Sequence, residues 1–144
     1  MKNKVFVVIT VVGLLLTMAA CSAATGAPGK NLVSITAADF DKQANIAKQV
    51  EVKAGDTFTI TLDSNSTTGF QWTEQAIIAD ANILQQTDHN YIAPNGEVVG
   101  KAGIEQWTFK AGNPGTTTAS LSYDRPWEGG ETGVRTFELT VNVK

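Results

Sequence analysis

Three observations predict an all-β fold. Apolar and polar residues alternate with a period of two across most of the chain after about residue 45. The alternating runs are rich in Val, Ile, Thr, Phe and Trp, the residues that suit a pleated surface. Short Gly-, Asn- and Pro-bearing segments separate them. A period of two means one buried and one wet face, as in antiparallel sheets.

The elements follow in order. Val50 and Val52 alternate with Gln49, Glu51 and Lys53, predicting a strand at 46–53. Lys53-Ala54-Gly55-Asp56 is a turn, after which Phe58, Ile60 and Leu62 alternate with three threonines at 57–63. Phe70 and Trp72 flank Gln71 in a strand at 70–75, and a less patterned strand is placed at 84–92. Trp107, Phe109 and Ala111 define 104–111; Gly112-Asn113-Pro114-Gly115 turns the chain into 116–123, marked by Ala119, Leu121 and Tyr123. Phe137, Leu139, Val141 and Val143 define 134–143. Strands of this kind at regular spacing predict an immunoglobulin-like antiparallel β-sandwich of about seven to eight strands. Ala37 to Lys48 and Glu74 to Leu84 have helix-forming composition. The first is expected as a short turn before a strand and the second as an irregular crossover, with little helix in total.

Strand order carries a further expectation. Successive strands reverse direction, so the connections at 64–69, 93–103 and 124–133 share one end. The tight turns at 54–56 and 112–115 and the 76–83 crossover fall at the other. Loops held this way on a rigid scaffold are where binding residues concentrate.

The chain has 144 residues and its N-terminus does not read as part of the fold. Lys2 and Lys4 precede an apolar run, Val5 to Leu16, which is short for a membrane span of ~20 residues. Met18-Ala19-Ala20-Cys21 follows. This is a secretory signal whose end resembles a bacterial lipobox, which implies that Cys21 is lipidated and becomes the mature N-terminus. An ordinary cut near Ala20 or Ala24 is the plainer alternative. Residues 1–20 are thus expected as the signal peptide. Residues 21–31, rich in Ala, Gly, Thr, Ser and Pro, are expected as a flexible tether, and 32–144 as one domain. The expected location is exported and lipid-anchored to the bacterial envelope, on its periplasmic or cell-surface face. Cys21 is the only cysteine, so the domain has no intrachain disulfide and its core alone must hold it.

Composition excludes several function classes. The net charge is −3, and removing Lys2 and Lys4 takes it to −5, with no basic run, which argues against nucleic acid. His89 is the only histidine and Cys21 is committed elsewhere, so no Ser-His or Cys-His pair is available without His89. Lying between Asp88 and Asn90, His89 reads as a solvated strand-end residue. No cluster of His, Cys or carboxylates has metal-ligand spacing. No cofactor is expected, and the chain is not expected to be an enzyme.

Two segments use their residues better as a grip. Asn65-Ser66-Thr67-Thr68-Gly69-Phe70-Gln71-Trp72 is small and polar at its tip, then turns at Gly69 into two aromatics. Tyr123-Asp124-Arg125-Pro126-Trp127-Glu128 places an Arg, a Pro and a Trp beyond the end of a strand. Trp and Arg are the commonest interface hot-spot types. Between them lies Val99-Gly100-Lys101-Ala102-Gly103, a low-relief loop that permits close backbone approach. Taken singly, each has a bland reading: a plain turn, a bulged hairpin, a Trp127 lid over the core edge. Clustering at one end shifts the weight toward binding.

These segments resemble those of the chagasin-type inhibitors of papain-like cysteine peptidases. That family carries an Asn-Pro-Thr-Thr-Gly-aromatic loop, a Gly-x-Gly-Gly loop and an Arg-Pro-Trp loop, in that order. Here they read Asn65 to Phe70, Gly100 to Gly103 and Arg125 to Glu128, and the resemblance spans about Val50 to Val143. Ser66 stands where the family has Pro, and Ala102 where it has Gly. The resemblance implies that Thr67, Thr68 and Gly69 enter the peptidase cleft beside its catalytic cysteine. Gly100, Lys101, Ala102 and Gly103 brace one side; Arg125, Pro126, Trp127 and Glu128 brace the other. Asn65, Ser66 and Phe70 complete the set. The expected partners are a papain-like cysteine peptidase and, through the N-terminal lipid alone, a membrane; the inhibitor itself is expected to be a monomer. A rival reading is a surface adhesion or carbohydrate-binding module with Trp127 and Trp72 as stacking platforms. It requires Trp72 exposed, whereas the inhibitor reading places Trp72 in the core. A third is a structural subunit of an envelope complex.

Overall fold

The computed structural model describes residues 29–96, 100–127 and 129–144. The expected signal segment, Cys21 and tether residues 21–28 lie outside the described residues, as does Glu128. Among the described residues nine strands form two facing sheets. They are β1 (Lys30–Ile35), β2 (Asn45–Val52), β3 (Thr57–Ser64), β4 (Gln71–Trp72), β5 (Ile77–Ile78), β6 (Leu84–Ile92), β7 (Gly103–Ala111), β8 (Gly115–Asp124) and β9 (Arg135–Val143). One sheet has the order β1-β3-β7-β6; the other has β2-β9-β8-β4, with β5 also paired to β8. The predicted sandwich is therefore present, with most strands within one residue of the predicted bounds.

The alternating residues meet between the sheets. Phe58, Ile60, Leu62, Leu84, Trp107 and Phe109 face Trp72, Leu121, Tyr123, Phe137, Leu139 and Val141, each at most 5% exposed. At roughly 1.5–3 kcal/mol for each large apolar side chain buried, this core supplies what no disulfide does. A single helical turn, α1 (Ala37–Phe40), closes one end: Ala37 N–H donates to Asp63 Oδ2 at 2.8 Å, and the Phe40 ring lies 5.3 Å from that of Trp72.

Four features differ from expectation, each for a physical reason. Lys30 and Asn31, read as tether, belong to β1 and pair with Phe58 and Thr59, so the domain begins earlier than residue 32. Two edge pairings are parallel, β1 with β3 and β2 with β9, because each edge strand joins a partner far along the chain rather than its sequence neighbour. The helix-like stretch 37–48 yields only the four residues of α1, since Asn45–Val52 is taken into the ladder with β9. Strand β4 stops at Trp72 rather than residue 75. The Glu74 carbonyl accepts from Trp107 Nε1 (3.2 Å) and Gln86 Nε2 (2.8 Å), and Ala76 N–H donates to Gln86 Oε1 (2.8 Å), so side chains replace ladder partners there.

β3 and β6 both run antiparallel to β7, so their C-termini share one end. β8 delivers its loop to the same end, where Tyr123 meets Asn65. The expected clustering of the three loops is observed.

Candidate functional site

The first loop is a small, internally bonded wedge. Asn65 opens a single 3-10 turn, Ser66–Thr68, and its Oδ1 accepts from Thr67 N–H (3.2 Å) and Thr67 Oγ1 (2.6 Å). Thr68 Oγ1 donates back to the Asn65 carbonyl at 2.7 Å. Gly69 closes the turn with φ +78°, a conformation that favours glycine. With Ser rather than Pro at position 66, the turn is held by these hydrogen bonds and not by a fixed φ there. Ser66, Thr67 and Thr68 all remain exposed, so the tip is free to meet another surface.

Its stem is clamped by aromatics. Tyr123 is 5% exposed, and its hydroxyl accepts from Asn65 N–H (3.0 Å) and donates to Asn65 O (3.4 Å). The Phe70 ring stacks on Tyr123 at 5.5 Å, and the Arg125 guanidinium lies over the Phe70 ring at 4.3 Å. The same guanidinium lies 5.8 Å from the Trp127 ring. A ladder of stacked groups therefore runs from the core to the exposed indole.

The other two loops close on the first. Asn65 Nδ2 donates to the Gly100 carbonyl at 3.4 Å. Gly103 is not loop but the buried first residue of β7, and a Cβ there would collide with the Tyr91 hydroxyl. It acts by letting Tyr91 lie close, with Tyr91 Oη 3.5 Å from Ser66 Oγ. In the third loop Arg125 N–H donates to the Glu131 carbonyl (2.8 Å), Gly130 N–H to the Trp127 carbonyl (2.9 Å), and Gly133 N–H to Asp124 Oδ1. Trp127 is 53% exposed and its ring edge rests on Gly69, where a Cβ would stand 2.5 Å from Cη2. Thus Asn65 to Phe70, Gly100 to Ala102 and Arg125 to Trp127 form one continuous edge.

This edge presents surface rather than receiving a small molecule. The hollows beside the loops hold about 160 and 250 Å³, below the ~300–1,000 Å³ of ligand pockets. The single histidine does not stand in the order of a catalytic triad. His89 is not the solvated strand-end residue expected. It lies within β6, half-buried, its ring 4.9 Å from Trp107 and its Nε2 2.9 Å from Glu105 Oε2. Ser64 Oγ bonds the same carboxylate on Oε1 at 2.6 Å. The acid sits between serine and histidine, so the histidine cannot take the serine proton as a triad base does. No group of metal-ligating side chains exists among the described residues. Trp72, at 1% exposed, with Nε1 donating to the Asp63 carbonyl at 3.1 Å, offers no stacking platform for a sugar.

Sequence reasoning missed Tyr91 and Glu105 as parts of this end, and it placed Tyr123 at the head of the third segment without the bonds of its hydroxyl to Asn65. Tyr123 was legible as an inward residue of its strand, and its position just before Arg125 puts its hydroxyl at the loops.

Comparison with known proteins agrees with this geometry. A family model described as Chagasin family peptidase inhibitor I42 matches residues 51–141, which include all three loops. Amoebiasin-2 of Entamoeba histolytica is 30% identical over 95 residues, covering 66% of this chain and 76% of that protein. Chagasin of Trypanosoma cruzi is 28% identical over 89 residues, covering 60% and 81%. Among solved structures, the cysteine protease inhibitor EhICP2 from Entamoeba histolytica superposes with a TM-score of 0.58 at 24% identity, over 78% of this chain and 98% of that one. PbICP-C, solved in complex with falcipain-2, gives 0.55 at 18% identity, over 81% and 100%. The structural likenesses establish the fold, and the sequence match over most of the folded chain establishes the kinship. The chain belongs to the chagasin family of peptidase inhibitors and is not an enzyme.

Proposed function

We propose that the chain is a reversible, tight-binding inhibitor of papain-like cysteine peptidases, acting by occlusion. The observation that carries this is the locked three-loop edge: an exposed Thr67-Thr68 tip closed by the half-covered Gly69, tied to Gly100 on one flank and to Trp127 on the other. In this reading the tip fills the cleft beside the catalytic cysteine. Gly100, Lys101 and Ala102 brace one side, and Arg125, Pro126 and Trp127 the other, with Glu128 completing that loop. No bond is made or broken. Affinity comes from a wedge already ordered before contact, since less freedom is lost on binding. That EhICP2 is a cysteine protease inhibitor and PbICP-C was captured with falcipain-2 supports the class of target. Titration of papain with the purified protein tests it; no inhibition of papain or of related peptidases at micromolar protein would sink it.

Trp127 is the exposed anchor of the edge, and such residues typically contribute about 2 kcal/mol or more to an interface. Trp127→Ala is expected to raise the inhibition constant about thirtyfold, with the melting midpoint unchanged because the ring lies outside the core. An unchanged inhibition constant would remove the third loop from the contact.

The protein is further proposed to act as an exported monomer tethered by a lipid on Cys21, with no cofactor and no nucleic-acid partner. Supporting this are the Lys2/Lys4 start, the apolar Val5–Leu16 run and the Met18-Ala19-Ala20-Cys21 site. Cys21→Ser is expected to move the protein from the membrane fraction and to abolish labelling by a radioactive fatty acid. Retained labelling would contradict the assignment.

A further inference from the structure

We infer that Glu105 is the positioning residue of the inhibitory wedge, fixing from below the two strands between which the first loop is strung. The inference rests on the inhibitor reading. Glu105 is 4% exposed, on the inward face of β7. Its Oε1 accepts from Ser64 Oγ at 2.6 Å and from Trp72 N–H at 3.2 Å. Ser64 is the last residue of β3 and Trp72 the last of β4, and the two strands belong to opposite sheets. One carboxylate oxygen thus joins the sheets across the root of residues 65–71. Oε2 is held by His89 Nε2 at 2.9 Å, and the His89 ring packs on Trp107. The carboxylate therefore has little freedom to turn away.

The need for an acceptor here follows from the fold. β4 is an edge strand with only two ladder residues, paired to Asp124 and Tyr123. The Trp72 N–H points away from β8 into the interior, where an unpaired donor is costly. Glu105 supplies the acceptor that a neighbouring strand would supply elsewhere. Without it β4 keeps its ladder to β8 and the Phe70–Tyr123 stack, but the far end of the loop that begins at Asn65 loses its tie to the opposite sheet. The loop's own bonds, from Asn65 to Thr67 and Thr68, hold the turn but do not hold its height or tilt above the sandwich.

Glutamine retains an amide oxygen for Ser64 and Trp72 and an N–H₂ group for a His89 acceptor; leucine fills the space and retains none. Glu105→Gln is expected to inhibit papain within about threefold of the unsubstituted protein, and Glu105→Leu about thirtyfold more weakly. In the free proteins, amide hydrogen exchange across residues 65–72 is expected to accelerate roughly tenfold or more in Glu105→Leu, with β8 and β9 unchanged and Glu105→Gln near normal. Should the leucine variant not fold, Ser64→Ala, which removes one of the three bonds, is expected to show the same local acceleration. Unchanged exchange at 65–72 in the leucine variant, or in Ser64→Ala where the former does not fold, overturns the inference. Equal acceleration in both sheets also overturns it, because that is the mark of a general stabiliser. If the unsubstituted protein inhibits none of the peptidases, the inhibitor reading fails, and exchange alone decides whether Glu105 fixes the loop.

Discussion

Valine in place of Gly69 is expected to abolish inhibition while leaving the sandwich folded. Two effects combine at this one position. Gly69 has φ +78°, where a side chain costs about 1–2 kcal/mol and a β-branched one more. A Cβ there would also stand 2.5 Å from Trp127 Cη2 and 3.1 Å from Cζ3, so the indole must leave its seat. Losing the Trp127 anchor removes about another 2 kcal/mol. The sum, about 3–4 kcal/mol, corresponds to a loss on the order of several hundredfold in affinity. Little of it reaches the fold, because the turn is at the surface and the displaced ring is already half in solvent. An inhibition assay beside a thermal melt separates the two consequences. Gly69→Val with normal inhibition would show that neither the turn nor the seated indole matters to the contact. Gly69→Ala, which lacks the branch, is expected to fall between.

The fold was legible wherever one face of a strand alone decides which residues are apolar. Phe58, Ile60 and Leu62 mark β3, and Trp107 and Phe109 mark β7, because both strands lay their inner faces on the core. The clustering of the loops followed from strand reversal, which needs no knowledge of side chains. His89 was misread for a specific reason. The β6–β7 register shifts between Gln86 and Asp88, leaving Thr87 as an extra residue. A bulge of one residue flips the inward phase, so Leu84 and Gln86 face in before it and His89 after it. Alternation read straight through that strand puts the histidine outside. Glu105 was legible in principle, since it shares the phase of Trp107, Phe109 and Ala111, and an inward carboxylate demands partners. Those partners come from β3, β4 and β6, and no local pattern announces a meeting of three strands. The parallel edges β1 and β2 were hidden likewise: their pairing depends on which edge of which sheet is vacant. At the site, the Thr-Thr-Gly tip and Trp127 were visible as residues. The seating of Trp127 on Gly69 was not, because it depends on the path of the third loop through Gly130 and Glu131.

Trp72→Ala is expected to have the opposite signature from Gly69→Val, with the loss falling on stability first. The side chain is 1% exposed and packs against Phe40, Trp107 and Tyr123 at 5.3, 6.4 and 5.0 Å between ring centres. Its Nε1–H is bonded to the Asp63 carbonyl, and the same Asp63 receives the α1 N-terminus through its side chain. Removing a buried Trp costs about 3–5 kcal/mol, and the midpoint of thermal unfolding should fall by on the order of 15 °C. The site then suffers through Tyr123, whose ring loses its inner neighbour while its hydroxyl still has to hold Asn65. The remaining folded fraction is therefore expected to inhibit more weakly than the unsubstituted protein even far below the midpoint. Trp72→Phe, which keeps most of the packing, should recover most of both properties. A stacking platform on the surface makes the reverse prediction: Trp72→Ala would leave the midpoint in place and abolish only ligand binding. One melt distinguishes them, because a residue that forms the floor beneath a loop cannot be removed without lowering the stability of the sandwich that carries it.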